Sequence, residues 1–89
     1  MRYCIEYTPS AQHDLIKLGK RMRQRAYDCI HALADDPYPP SCRRLTGPLR
    51  DYAKIRVGDY RVIYWVGSDV VRVVRVGHRS NVYKDLGRA

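Results

Sequence analysis

Carboxylates are scarce where this sequence is most basic. Residues 43–89 carry 11 Lys or Arg against 4 Asp or Glu, whereas residues 1–42 are nearly balanced at 6 against 5. That shortage leaves little for carboxylate-based acid–base or metal chemistry in the second half. Cysteine is equally sparse: Cys4, Cys29 and Cys42 are odd in number, form no C-x-x-C pair and have no histidine cluster beside them. Disulfide frameworks and zinc sites are therefore not expected, and the three are read as free, buried thiols. No stretch approaches the roughly 18 apolar residues of a membrane span, and the N-terminus meets Glu6 after a short apolar patch, so the chain is placed in the cytosol. The H-E-x-x-H, P-loop and G-x-S-x-G signatures are missing, as are internal repeats and low-complexity segments. No cofactor or metal is expected.

What is present points to one small domain. A chain of 89 residues can build a single hydrophobic core, marginal in size, so a stabilising partner or unusually good packing is expected. Its excess of 17 basic over 9 acidic residues suits a polyanion, nucleic acid first and an acidic protein second.

Local periodicity orders the elements. Tyr3, Ile5 and Tyr7 alternate with Cys4 and Glu6, predicting a strand over 2–7. Thr8-Pro9 is a cap followed by proline in the first turn, opening a helix with Ala11, Leu15 and Leu18 inward and Gln12, Asp14 and Lys17 outward. Gly19 breaks it. A second helix from Lys20 aligns Met22, Ala26, Ile30, Leu33 and Ala34 on one stripe and ends before Asp36-Pro37. His13 and His31 fall on these helices as surface histidines. Residues 37–42 form a proline-stiffened connector. Two strands, or one interrupted strand, then occupy 43–57 around the Thr46-Gly47-Pro48 turn. Strands over 60–66 and 70–76 complete an antiparallel meander, and residues 81–86 form a short terminal turn or helix.

The meander carries the functional signal. Ala53, Ile55 and Val57 share one face, and Tyr52, Lys54 and Arg56 share the other. A two-residue turn at Gly58-Asp59 would pair Val57 with Tyr60 and set Arg56 directly across from Arg61. Like charges opposed in a sheet repel, so a patch of Lys54, Arg56 and Arg61 is a cost that a bound phosphate would relieve. Arg72 and Arg75 have opposite parity and share the basic face only if a bulge intervenes; the sequence leaves open which belongs there.

RNA carries its own nucleophile, the 2′-hydroxyl. A protein that cuts it needs to manage two protons and stabilise the charge on phosphorus, for which guanidinium groups are suited. Tyr52, Tyr83 and Trp65 could stack flanking bases, although packing is the simpler account of Tyr52 and Trp65. His78, beside Arg79 at a strand end, could carry a proton or merely pack.

Three blocks in order, Leu45-x-Gly47-x-Leu49-Arg50-Asp51-Tyr52-x-Lys54-Ile55-Arg56, Gly58-Asp59-Tyr60-Arg61-Val62-Ile63-Tyr64 and Val76-Gly77-His78-Arg79-x-x-Val82-Tyr83, resemble the RelE branch of the RelE/ParE toxin superfamily over nearly the whole chain. The resemblance implies an α+β, microbial-ribonuclease-type fold over residues 1–89: an N-terminal strand, a helical hairpin, an antiparallel meander and a short C-terminal turn or helix. It implies a toxin of a type II toxin–antitoxin pair, an endoribonuclease that cuts mRNA in the ribosomal A site without metal. Its partner is a cognate antitoxin that wraps it in a hetero-oligomer; alone it is expected to be a monomer. By matching position, Arg56 and Arg61 hold the scissile phosphate, Lys54 assists the 2′-hydroxyl or the transition state, Arg79 serves the leaving group, and Tyr83 orients or deprotonates the nucleophile. Arg43, Arg44, Arg50, Tyr52 and His78 are expected around them as RNA contacts. Arg56 stands where a lysine is common in the family, and arginine is a poor base. Two other readings stand beside this one. The first is a ParE-like toxin that binds and stalls DNA gyrase, which such relatives do without the terminal arginine and tyrosine together. The second is a module that binds antitoxin or nucleic acid without turnover.

Overall fold

The computed structural model describes residues 2–83. Its elements run β1 (Cys4–Tyr7), α1 (Pro9–Ile16), α2 (Lys20–Ala32), β2 (Arg43–Arg44), a 3₁₀ turn (Gly47–Leu49), β3 (Tyr52–Val57), β4 (Tyr60–Val66) and β5 (Val70–His78). The strands form one sheet in the order β1-β5-β4-β3-β2, antiparallel except where β1 runs parallel to β5. The α+β order matches the sequence reading. The parallel pairing of the two strands most distant in the chain was not anticipated, and it makes the sheet mixed.

Local signals explain most boundaries. Thr8 caps α1, accepting from the Ala11 N–H at 3.1 Å, with Pro9 in the first turn. The same hydroxyl donates to the Val74 carbonyl at 3.1 Å and ties the helix start to β5. Gly19 is the N-cap of α2. The first strand is shorter than predicted because the Tyr3 N–H turns away to the Ala34 carbonyl at 2.7 Å. Between residues 43 and 57, Gly47 at φ +63° followed by Pro48 starts the 3₁₀ turn, which leaves β2 only two residues. Asn81 and Val82 both donate to the His78 carbonyl in a turn, and the rest of the predicted terminal element lies outside the described residues.

One core lies between the helices and one face of the sheet. Leu15 from α1 and Ala26, Ile30 and Leu33 from α2 pack on Ala53, Ile55, Val57, Val62, Tyr64, Val71, Val73 and Val76. Tyr64 is fully buried, and its hydroxyl donates to the Pro37 carbonyl at 2.8 Å, pinning the connector to the sheet. Burial raises its phenol far above the usual tyrosine range, so it stays a neutral donor.

Two expectations need correction. Asp14 is not on an outward helix face. β1 ends at Tyr7, and beyond it Asp14 fills the missing strand's place, accepting from the Val76 N–H at 2.9 Å and from Arg75 at 2.8 Å. The cysteines are free but not buried: Cys4 is exposed on the edge strand, and Cys29 and Cys42 are half-buried at the margin of the core. Among the described residues, no helix is long and apolar enough to cross a membrane.

Candidate active site

The face of the sheet turned away from the helices carries the cations. Gly58 adopts φ +62° and its successor a negative φ, the pattern of a hairpin turn with glycine first. The ladder that follows sets Val57 opposite Tyr60 and Arg56 opposite Arg61, while Arg43 of β2 lies opposite Lys54. Cross-strand partners share a face, and Ala53, Ile55 and Val57 take the core side, so Arg43, Lys54, Arg56 and Arg61 come together on the other. With Ser41 they line a recess of about 410 Å³.

Among the described residues, Arg61 and Arg43 are held by backbone carbonyls rather than by counter-charges. Arg61 donates through Nη1 to the carbonyls of Gly58 at 3.2 Å and Tyr60 at 3.0 Å. Arg43 donates likewise to those of Pro40 at 3.1 Å and Cys42 at 2.9 Å. The Lys54 ammonium lies over the Tyr83 ring, 5.6 Å from its centroid. The ion pairs among the described residues are Arg2–Asp35, Arg72–Glu6 and Arg75–Asp14, and none involves the recess. Four cations gathered around one recess repel one another, and a phosphate group removes that repulsion while receiving oriented N–H donors. Among the described residues no three His, Cys, Asp or Glu side chains gather into a set for a metal ion.

The other expected site residues are placed unevenly. Arg79 is exposed, and its N–H donates to the Asp59 carbonyl at 3.0 Å, which sets its backbone beside the β3–β4 turn at the Arg61 end of the site. Tyr52 shares the open face, two residues from Lys54 and opposite Trp65. His78 is opposite Tyr60, so register turns it to the helix side. There it packs edge-on against that ring at 5.8 Å, and its Nδ1 meets the Ser80 hydroxyl at 2.8 Å, organising the turn rather than lining the recess. Arg44 is opposite Ala53 and likewise on the reverse face from Arg43, lying over Tyr38 and reaching the Arg50 carbonyl at 3.4 Å. Arg50 is exposed at the end of the 3₁₀ turn and does not line the recess. Ser41 was not anticipated; nothing in the local pattern of a proline-rich connector marks its hydroxyl as reaching a sheet face.

A shift in β5 settles where Arg72 and Arg75 stand. Between Ile63 and Tyr64 of β4 the ladder skips Val74 of β5, so Arg72 faces Trp65 and Arg75 faces Ile63, and both take the open face by register. Neither lines the recess, and each is tied to a carboxylate.

Comparison with known proteins gives the lineage. Residues 5–83 match the family of the ParE toxin of type II toxin–antitoxin systems, parDE. An Escherichia coli protein described as a RelE-like toxin is 32% identical over 88 residues, covering 93% of this chain and 92% of its own length. Among solved structures, a chain of the toxin–antitoxin complex RelBE2 from Mycobacterium tuberculosis aligns with TM-score 0.79 and 27% identity, covering 89% of this chain and 100% of its own. A chain of the archaeal RelE–RelB complex from Pyrococcus horikoshii aligns at 0.77 and 26%, covering 92% and 100%. A mutant of the Escherichia coli toxin RelE in the free state aligns at 0.77 and 26%, covering 91% and 88%.

Proposed function

The chain belongs to the ParE toxin family within the RelE/ParE superfamily, as a toxin of a type II toxin–antitoxin system, and on that premise we propose that it acts as a metal-independent endoribonuclease on messenger RNA in the ribosomal A site. The observation that carries this reading is the recess of Arg43, Lys54, Arg56 and Arg61, in which four cations converge with no ion-paired carboxylate among the described residues. Arg56 and Arg61 grip the scissile phosphate. The 2′-oxygen adds to phosphorus as the bond to the 5′-oxygen breaks, leaving a 2′,3′-cyclic phosphate and a free 5′-hydroxyl. Charge grows on the non-bridging oxygens during this step, so the preset guanidinium groups bind the transition state more tightly than the substrate. Lys54 and Tyr83, stacked beside each other, attend the 2′-hydroxyl, and Arg79 at the turn attends the leaving oxygen. Substrate on the ribosome places the protein in the cytosol. A cognate antitoxin is its partner, covering in the complex the site that RNA uses.

A second reading, gyrase inhibition, draws on the match to the ParE family itself. Primer extension on a defined message in purified translating ribosomes, beside a supercoiling assay, separates the two. Discrete A-site cuts, about 10²–10³-fold slower in Arg61→Ala, are expected if the recess stabilises the phosphorane, and any cutting of ribosome-free RNA should persist in EDTA. An intact message with inhibited supercoiling would overturn the ribonuclease reading in favour of gyrase. An intact message with active gyrase would reduce the protein to a binding module.

A further inference from the structure

The open face continues past the recess. Two rows further along the strands, Tyr52 of β3 lies opposite Trp65 of β4, Trp65 opposite Arg72 of β5, and Arg72 alongside Glu6 of β1. The parity that exposes Arg61 exposes this row on the same face, and the four residue steps from Arg61 to Trp65 span about 14 Å of strand. Ile63, between them, is fully buried, so a chain crossing from one row to the other passes over the Lys54–Tyr83 pair rather than over bare sheet.

Trp65 is the sole tryptophan, and it is only partly buried. Its six-membered ring lies so close over Gly67 that a Cβ there would come within 2.9 Å of Cη2. The Arg72 guanidinium sits 5.1 Å from the ring centroid. Arg72 is tied to Glu6 at 3.2 Å, but the two side chains are 46% and 54% exposed. An exposed pair of that kind holds weakly, so the guanidinium can exchange carboxylate for phosphate. The skipped residue in β5 serves this arrangement. Strict alternation back from Val76 would turn Arg72 toward the helices and Val71 and Val73 outward; the bulge at Val74 keeps both valines in the core and Arg72 outside.

Resting on the ribonuclease reading, we propose that Trp65 and Arg72 form a stacking subsite for single-stranded RNA, which takes a base about two extended nucleotides from the scissile phosphate. The indole is held by Gly67 and bordered by Tyr52, with Arg72 lying over its ring; on exchanging Glu6 for the adjoining phosphate, Arg72 leaves that face to the base. Stacking on an indole accepts any base, so the subsite lengthens the footprint without reading sequence.

The test uses the full chain and a six-nucleotide RNA with 2′-O-methyl sugars, which binds without being cut, at low ionic strength. Binding is followed by the anisotropy of a terminal dye and, separately, by the emission of Trp65. The expected result is quenching of Trp65 along the same isotherm as the anisotropy. An abasic site at one position should restore emission and weaken binding about tenfold, and Trp65→Leu should weaken it equally and make that abasic site silent. Arg72→Gln, with folding checked by thermal melting, gives a second route if Trp65→Leu does not fold. Binding by anisotropy with unchanged Trp65 emission, or wild-type affinity in both folded variants, would overturn the subsite and leave the ribonuclease reading standing. Absence of binding by the wild type would overturn the subsite; absence of binding together with an uncut A-site message on ribosomes would overturn both.

Discussion

The two faces of β3 and β4 share one hydrogen-bond ladder yet have opposite chemistry. Toward the helices the opposed pairs are Val57–Tyr60, Ile55–Val62 and Ala53–Tyr64; away from them they are Arg56–Arg61, Lys54–Ile63 and Tyr52–Trp65. Alternation alone generates both lists. The first face stabilises the fold by removing apolar surface from water, and the second gives up some of that stability by opposing like charges. A small toxin domain thus divides its labour residue by residue along the same strand. Stability and activity should therefore separate cleanly under mutation.

The largest break in that division comes from the core side. Leu15→Ala removes a buried side chain from α1 and should cost about 2–5 kcal/mol in urea unfolding, while each folded molecule keeps its RNA affinity. Next, Tyr64→Phe strips the Pro37 carbonyl of its buried donor and should cost about 1–3 kcal/mol, with loosening of the connector visible as faster amide exchange around residues 37–42. On the open face the sign reverses. Arg56→Thr should raise stability by about 0.2–1 kcal/mol at low salt, because Arg61 loses a like-charged neighbour, while RNA affinity falls. Added phosphate should shrink the gain, by neutralising the wild-type recess. If Arg56→Thr instead lowers the melting temperature, the cations are not in mutual repulsion. The smallest effect belongs to Tyr7→Phe. The Tyr7 hydroxyl is buried with no hydrogen-bond partner among the described residues, and burial raises its phenol above the usual range, so its removal should leave stability unchanged or higher by less than about 1 kcal/mol in thermal melts. Tyr64 and Tyr7 thus form an internal control: among the described residues one hydroxyl has a partner and the other has none.

Legibility in the sequence followed the range of the forces. The Gly58-Asp59 turn and the period-two pattern on either side led directly to Arg56 opposite Arg61, because hairpin register is decided within a few residues. The cap at Thr8, the break at Gly19 and the stripe on α2 were legible for the same reason. Arg44 and His78 looked like parts of the basic patch because they adjoin Arg43 and Arg79. Each lies one residue out of phase with the open face, which adjacency in a sequence conceals.

By itself, then, the sequence determined the two-faced meander, the helical hairpin and the cluster of Lys54, Arg56 and Arg61, since each depends on periodicity or on one tight turn. Only the tertiary structure decided that β1 runs parallel to β5 and that Asp14 completes the edge where β1 stops. It alone placed the skipped residue at Val74, brought Ser41 of the connector to the recess and paired Arg43 of β2 with Lys54. These depend on groups dozens of residues apart satisfying one another's hydrogen bonds and excluding the same water, a balance that no local pattern of residues encodes.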